Sequence, residues 1–410
     1  MDFATRTQLT QELSALSQRI AAELLVRFAE PGAVRERARA LHGEEKVGED
    51  FDVWADLLSR RAAVSWVLKT VYVRVLEDRG FLSPRRIVDA DGPRLFERLA
   101  PNLGETAYLR WIFRDLAQAD GGLPELFSPQ PAELCAPSDT ASRELLAFWR
   151  RRDPDSGELV YTFADEHFDG RLMGDLYQDL DPVVKARFAL LQTPDFIVDF
   201  ILDETLDPAI ETFGIDEVRV LDPACGSGHF LLAAFKRLVD GMREAHPERP
   251  VAEVVRDVLA RVVGIDLNDY AGGLARARLL MTALELLGER DLAAGANLHP
   301  QIYWADALEQ LELDELTLTG LRDEDQPRAT LTQPEVRRAL APLLQQGFHA
   351  VVGNPPYITE KDAEKKRYHR EKVGSGKSKR PRYLSAYRKY SLGAPFTERM
   401  FQQCVEGGYV

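Results

Sequence analysis

The segment Val351-Val-Gly-Asn354-Pro355-Pro356-Tyr357 joins an apolar run to a rigid polar turn. Two consecutive prolines fix φ, donate no N–H and restrict the residue before them. The Asn354 amide therefore projects at a set angle from the end of a strand. Its oxygen and a neighbouring backbone carbonyl can accept both hydrogens of one exocyclic amino group, while the Tyr357 ring stacks on the ring that bears it. The lone pair of an aniline-like nitrogen is delocalised into its ring, which makes it a poor nucleophile. Two acceptors push it toward sp³ and relieve positive charge as a new bond forms, an effect concentrated in the transition state. This is equipment for methylating an amino group on a planar ring. Taken alone, the segment also fits a strand end closed by a Pro-Pro turn.

A second constellation lies upstream. Asp222-Pro223-Ala224-Cys225-Gly226-Ser227-Gly228-His-Phe230 follows the apolar stretch Val218–Asp222 and opens a helical pattern. Two glycines let the backbone approach a ligand closely. A dinucleotide fingerprint needs a third glycine at 231, which is Leu231, and an acid before the loop suits a cation better than a pyrophosphate. Asp266 ends the next apolar stretch, Val262–Asp266, where it can accept from two ribose hydroxyls. Asp306 follows Gln301–Trp304, where it can accept from an adenine amino group. A helix N-cap and tight turn would account for the glycines but not for acids in step with them. Together they describe a pocket for S-adenosylmethionine, with a carboxylate near its positive end.

These residues need a scaffold that brings strand ends together. From about residue 190, strand-like stretches (218–222, 262–266, 301–304, 348–352) alternate with helical ones, notably to about Arg243 and over 270–287. That alternation predicts right-handed βαβ units and a parallel sheet, with ligands at the strands' C-terminal ends. Asp222, Asp266, Asp306 and Asn354 all fall there, at spacings of 44, 40 and 48 residues. Residues 1–190 read as mostly helical: Leu13, Leu16, Ile20, Leu24 and Leu25 recur at helical spacing, as do Val53, Trp54, Leu57, Leu58, Val64 and Val67. Pro- and Gly-rich breaks are expected near 84–104, 121–138 and 152–157. The expected organisation is a helical domain over 1–170 and a ligand-binding α/β domain over 171–410.

Composition sets the outer bounds. The chain has 410 residues, 45% hydrophobic and 29% charged, as in an ordinary globular protein. No apolar run approaches the roughly 20 residues of a membrane span, and the N-terminus lacks a signal peptide's pattern. Cys135, Cys225 and Cys404 lie too far apart for a disulfide framework or zinc site, so a cytoplasmic setting is expected and no metal. His229 and His349 read as incidental. The net charge is −14, yet residues 361–390 carry twelve Lys or Arg against three acids, a local +9. Tyr368, Tyr383, Tyr387 and Tyr390 are interleaved with them. Nucleic-acid phosphates are the expected partner, through Lys377, Lys379, Arg380 and Arg382 among others; a solvated basic loop is the alternative. Gly376-Lys377-Ser378 is no P-loop, because the position five before Gly376 is Glu371 and no strand precedes it.

At this point the chain resembles the class I methyltransferases, and within them the N6-adenine DNA methyltransferases, which pair a D-P-x-C-G-S-G-x-F loop with N-P-P-Y. It is most similar to the PglX-type methyltransferases of BREX phage-defence systems. The likeness rests on Gly174–Gln178, Phe188–Pro194, Asp222–Phe230, Gly264–Asn268, Gly353–Ile358, Lys389–Leu392 and Pro395–Arg399. It covers about residues 170–410 by motif. The resemblance implies a Rossmann-like sheet that places Thr193 and Pro194 against the methionine moiety. It gives the methionine end to Asp222, Pro223, Ala224, Gly226 and Gly228, the ribose to Asp266 and the cofactor's adenine to Asp306 with Trp304. Asn354, the Pro355 carbonyl and Pro356 would orient the target N6 amine, Tyr357 would stack on a base flipped out of double-stranded DNA, and Phe396 would line the pocket. Further subunits of a phage-defence complex are implied partners. Leu191-Gln192 departs from the aromatic pair common in relatives.

Residues 395–404 have an amphipathic helix's spacing, and Gly407-Gly408-Tyr409-Val410 reads as a turn and the start of a fifth strand. Because a class I sheet has seven strands, the expectation is a C-terminally incomplete domain with weak or no activity alone. Two other readings stay open: methylation of RNA or a protein glutamine, and a non-catalytic cofactor- and DNA-sensing subunit.

Overall fold

Two apolar stretches, Val262–Asp266 and Gln301–Trp304, form strands over the residues their pattern predicts. The computed structural model describes residues 2–45, 50–164, 171–184, 193–311, 334–361, 363–373 and 380–410. The chain divides into two compact units: Met1–Leu191 with Gly288–Asn297, and Gln192–Leu287 with Leu298–Val410. The first thus runs beyond residue 170 and takes in a later segment.

The first unit is helical. Helix Phe3–Ala29 buries Leu9, Leu13, Leu16, Ile20 and Leu24 along one stripe, the spacing that core-facing helices show. Helix Phe51–Asp78 is buried almost all round between Ala62 and Glu77, as the central helix of a bundle must be. That burial forces its charged residues into pairs. The Arg74 guanidinium donates to Glu77 and Asp78 at 2.6 Å each, and Lys69 meets Glu133 at 2.5 Å. The break expected over 84–104 contains a helix, Asp91–Leu99, whose Phe96 is buried. Its Gly-Pro pair sits in the first turn, where proline's missing N–H leaves no bond unmade. No helix among the described residues is long and apolar enough to cross a membrane.

The second unit is an α/β domain built on a parallel, Rossmann-like sheet. Its strands are β1 (Val220–Asp222), β2 (Val262–Asp266), β3 (Gln301–Trp304), β4 (Phe348–Val351), a small hairpin pair β5 (Lys372–Val373) and β6 (Arg380–Pro381), and β7 (Cys404–Tyr409). The main sheet has the order β3-β2-β1-β4-β7 and every neighbouring pair is parallel. β1 and β2 lie inside it, so they read as continuous apolar runs rather than alternating ones. The chain builds outward from β1 to β3, then crosses back to place β4 on the other side of β1. The order reverses at β1 and β4, and in sheets of this kind ligands sit at such a point, beyond the strands' C-terminal ends.

Two expectations need correction. The fifth strand starts at Cys404, directly after helix Gly393–Gln403, and not after a turn at 407. Gly407 does disturb it: Phe348 pairs with Cys404 but Ala350 with Tyr409, so the register slips within β7. The basic region is also no plain loop, because it contains helix Ala363–Arg370 as well as the β5–β6 pair. Beneath it, Leu221, Ile265, Leu308, Phe348, Val351, Tyr383, Tyr390 and Phe396 share one apolar cluster.

Candidate functional site

Asp222 is the last residue of β1 and is 1% exposed. The backbone turns sharply after it, and the Ala224 N–H donates to its Oδ1 at 3.0 Å. Burial pushes this carboxyl up to about 8, the Ala224 N–H opposing and the charge of Asp266 adding. The neighbouring strand comes equally close. Val352 donates its N–H to the Leu221 carbonyl at 2.9 Å, and a Cβ built on Gly353 would lie 2.7 Å from Asp222 Oδ1. Only a residue without a side chain lets the Asn-Pro-Pro-Tyr turn pass this carboxylate.

The glycine loop is held from several sides. The Cys225 N–H reaches the Ile265 carbonyl at 3.0 Å, and the Gly226 N–H reaches Asp266 Oδ2 at 2.8 Å. Asp266 Oδ1 accepts from the Asn268 N–H at 2.7 Å. Each Asp266 oxygen so keeps a lone pair for a ligand hydroxyl. Burial raises this carboxyl too, the N–H groups of Asn268, Gly226 and Leu267 opposing. Arg278, 3% exposed on helix Asp269–Leu286, donates to the Ser227 carbonyl at 2.6 Å. Gly226 has φ +53° and its missing Cβ would meet nothing within 4 Å. The loop thus presents bare backbone to open space beside two buried, raised carboxyls. That combination fits a cationic ligand with a hydroxylated sugar, as S-adenosylmethionine is.

Asp306 lies two residues past β3, beyond Ala305, whose N–H donates to the Asp266 carbonyl at 3.1 Å. Its Oδ1 accepts from Leu308 N–H at 3.1 Å, and its Oδ2 meets Lys365 Nζ at 2.9 Å. Trp304 is 46% exposed, and its indole N–H donates to the Leu267 carbonyl at 3.0 Å. The Lys365 contact was not legible in the sequence, because 59 residues separate the partners. Thr193 is partly buried, and Pro194 caps helix Asp195–Phe213, which packs on β4 and on the glycine-loop helix His229–Ala245.

The turn after β4 holds its residues at graded depth. Asn354, Pro355 and Pro356 are partly buried and Tyr357 is 69% exposed. Among the described residues none hydrogen-bonds to the Asn354 amide. The chain leaves the turn alongside residues 391–392: Leu392 N–H donates to the Ile358 carbonyl at 2.8 Å, and Thr359 bridges Ser391. Gly393 lies against the Tyr357 ring, where a Cβ would come within 3.4 Å. Phe396, expected to line a pocket, is 8% exposed and belongs to the core cluster.

Lys377 and Lys379 lie outside the described residues. Arg380 is exposed, whereas Arg382 is engaged internally, bonded to Glu371 at 3.0 Å and stacked over Tyr368 at 4.3 Å. The interleaved tyrosines divide the same way. Tyr383 is 1% exposed and donates to the Leu308 carbonyl at 2.7 Å, the Tyr368 hydroxyl accepts from Gln310 N–H at 2.9 Å, and Tyr390 meets His369 at 2.8 Å. His349 accepts from the Arg219 N–H at 3.1 Å, an ordinary structural bond.

Residues 260–410 match the Eco57I restriction-modification methylase family. Nearly the whole chain, 97% of it, aligns at 34% identity with the adenine-specific methyltransferase PglX of Streptomyces coelicolor, over 34% of that protein's length. The chain is a PglX homologue. The chain is also 28% identical to the type II methyltransferase M.PaeR7I of Pseudomonas aeruginosa, over 55% of the chain and 31% of the relative. A cryo-EM structure of a DrdV–DNA complex overlays with a TM-score of 0.45 at 16% identity, covering 88% of this chain and 29% of that one. The chain spans about a third of the length of PglX and of M.PaeR7I.

Proposed function

We propose that the chain carries the catalytic centre of a DNA adenine-N6 methyltransferase serving restriction-modification or phage defence. The reading rests above all on one juxtaposition: the Asn-Pro-Pro-Tyr turn passes directly over the buried Asp222 of the glycine loop, at the point where strand order reverses. The names of the relatives it matches support the same direction.

S-adenosylmethionine, when bound, supplies an electrophilic methyl group. Asp222 and the bare loop at Gly226 would hold its methionine end, Asp266 its ribose, and Asp306 with Trp304 its adenine. Thr193 and Pro194, heading the helix that packs on β4, would close the pocket beside the methionine. The Asn354 amide oxygen and the Pro355 carbonyl accept the hydrogens of the target N6, which removes electron demand from that nitrogen as it becomes tetrahedral. Pro356 keeps the two acceptors at a fixed separation. The exposed face of Tyr357 receives an adenine that has left the duplex stack, since a stacked base cannot reach a site set below strand ends. No strong general base is needed, because the amine becomes acidic once alkylated.

The test is product analysis. The chain is incubated with methyl-labelled S-adenosylmethionine and DNA, RNA or protein, and the products are digested and read by mass spectrometry. N6-methyladenine from DNA, reduced on the order of 10²–10³-fold by Asn354→Ala with cofactor affinity kept, is the expected outcome. Label in RNA or a protein glutamine would refute the DNA assignment. Cofactor binding without any product would mark a sensing subunit.

A further inference from the structure

Residues 384–389 form a tight loop that is anchored on every side and yet offers its largest side chains to solvent. Tyr383, Ala386 and Tyr390 are buried in the core cluster, pinning the loop at three points. The Glu398 carboxylate accepts from the Leu384 and Ser385 N–H groups at 3.0 Å each and from the Ser385 hydroxyl at 2.7 Å. Arg370 donates to the Ala386 carbonyl at 2.9 Å and also to the Arg388 carbonyl. Arg388 itself has φ +54°, a left-handed conformation that disfavours a side chain. Such strain persists only where the surroundings impose it, and it clusters at functional positions.

This scaffold leaves Leu384 64% and Tyr387 70% exposed. The Arg388 guanidinium lies 5.2 Å from the Tyr387 ring centroid, and Arg388 and Lys389 are both exposed. Just beyond, Ser391 and Leu392 pair with Thr359 and Ile358, the residues that follow Tyr357. The loop is therefore joined to the outer end of the candidate base-binding turn. A rigid aromatic beside two cations on a strongly acidic chain fits a polyanion with stackable rings, not an apolar partner.

We propose that the loop 384–389 is a preorganised DNA contact, in which Tyr387 stacks on a base of an opened step near the target while Arg388 and Lys389 hold the flanking phosphates. The proposal rests on the DNA reading above and reassigns the contact from Arg382, which is engaged internally. Base–aromatic stacking is sequence-tolerant, so it operates before any recognition sequence is known.

The experiment measures binding of this chain to fluorescein-labelled single-stranded and duplex DNA, and to RNA of the same sequence, by polarisation across a salt series. Tyr387→Ala is expected to weaken DNA binding on the order of ten- to a hundred-fold without changing the salt slope, and Tyr387→Phe to restore it. Arg388→Ala combined with Lys389→Ala is expected to lower the log–log salt slope by roughly two. Cofactor affinity and melting temperature report whether each variant is folded. DNA binding by Tyr387→Ala equal to that of the unaltered chain overturns the proposal while leaving the methyl-transfer reading intact. Failure of the unaltered chain to bind nucleic acid at all overturns both, and tighter binding to RNA overturns the DNA assignment.

Discussion

Cofactor binding should release a proton from Asp222. Burial raises this carboxyl to about 8, so at pH 7 the protonated form outnumbers the carboxylate about ten to one, and ionising it costs about 1.4 kcal/mol. A sulfonium placed beside it favours the carboxylate. Each cofactor bound at pH 7 should then expel about 0.9 proton. Affinity should rise about tenfold per pH unit up to roughly pH 8 and level off above. The sign for stability runs the same way. A carboxyl raised on folding stabilises the ligand-free chain at low pH, and that contribution is lost as pH climbs from the ordinary carboxylate range through about 8. The ligand-free chain should accordingly melt lower at pH 9 than at pH 6 from this group, and the cofactor should stabilise it more at the higher pH. Calorimetric titration in buffers of different ionisation enthalpy measures the proton count directly. S-adenosylhomocysteine, which shares every other group but carries no sulfonium, is the control. Asp222→Asn should flatten the pH profile. Equal proton release with both ligands, or release that survives in Asp222→Asn, would refute the reasoning.

Two further outcomes follow from the same geometry. Gly353→Ala places a methyl group 2.7 Å from Asp222 Oδ1; overpacking of this kind costs roughly 1–3 kcal/mol. Because the turn must shift, methyl transfer should fall more than thermal stability does, as parallel melting curves and rate measurements will reveal. Lys365→Met removes the cation that holds Asp306 Oδ2 at 2.9 Å. If that pair fixes the carboxylate for the cofactor, affinity for S-adenosylmethionine drops several-fold in Lys365→Met, and combining it with Asp306→Asn adds little, a non-additivity that a double-mutant cycle reads. Additive losses would show the two side chains acting separately.

The sequence by itself determined where β1, β2 and β3 end. β2 and β3 are legible to the residue because they are short apolar runs closed by an acid or a polar turn, and that pattern depends only on local burial. The helices beside them follow from spacing for the same reason. The start of β7 was misplaced because Gly407-Gly408 looks like a turn locally, whereas pairing with β4 draws Cys404–Val405 into the sheet and absorbs the glycines as a register slip.

What only the tertiary structure decided is how the pieces meet. That Gly353 passes over Asp222 follows from β4 lying beside β1, a neighbour relation between segments more than a hundred residues apart. The fate of the basic segment was decided likewise. Its composition suggested one cationic surface, but long side chains take whichever acceptor the fold brings within reach. Lys365 found Asp306, Arg382 found Glu371, and Tyr383 and Tyr390 found the core, while Tyr387 stayed exposed. Charge and aromatic content are properties of the chain. Whether a given cation or ring faces solvent is settled by packing against partners that no local pattern reveals.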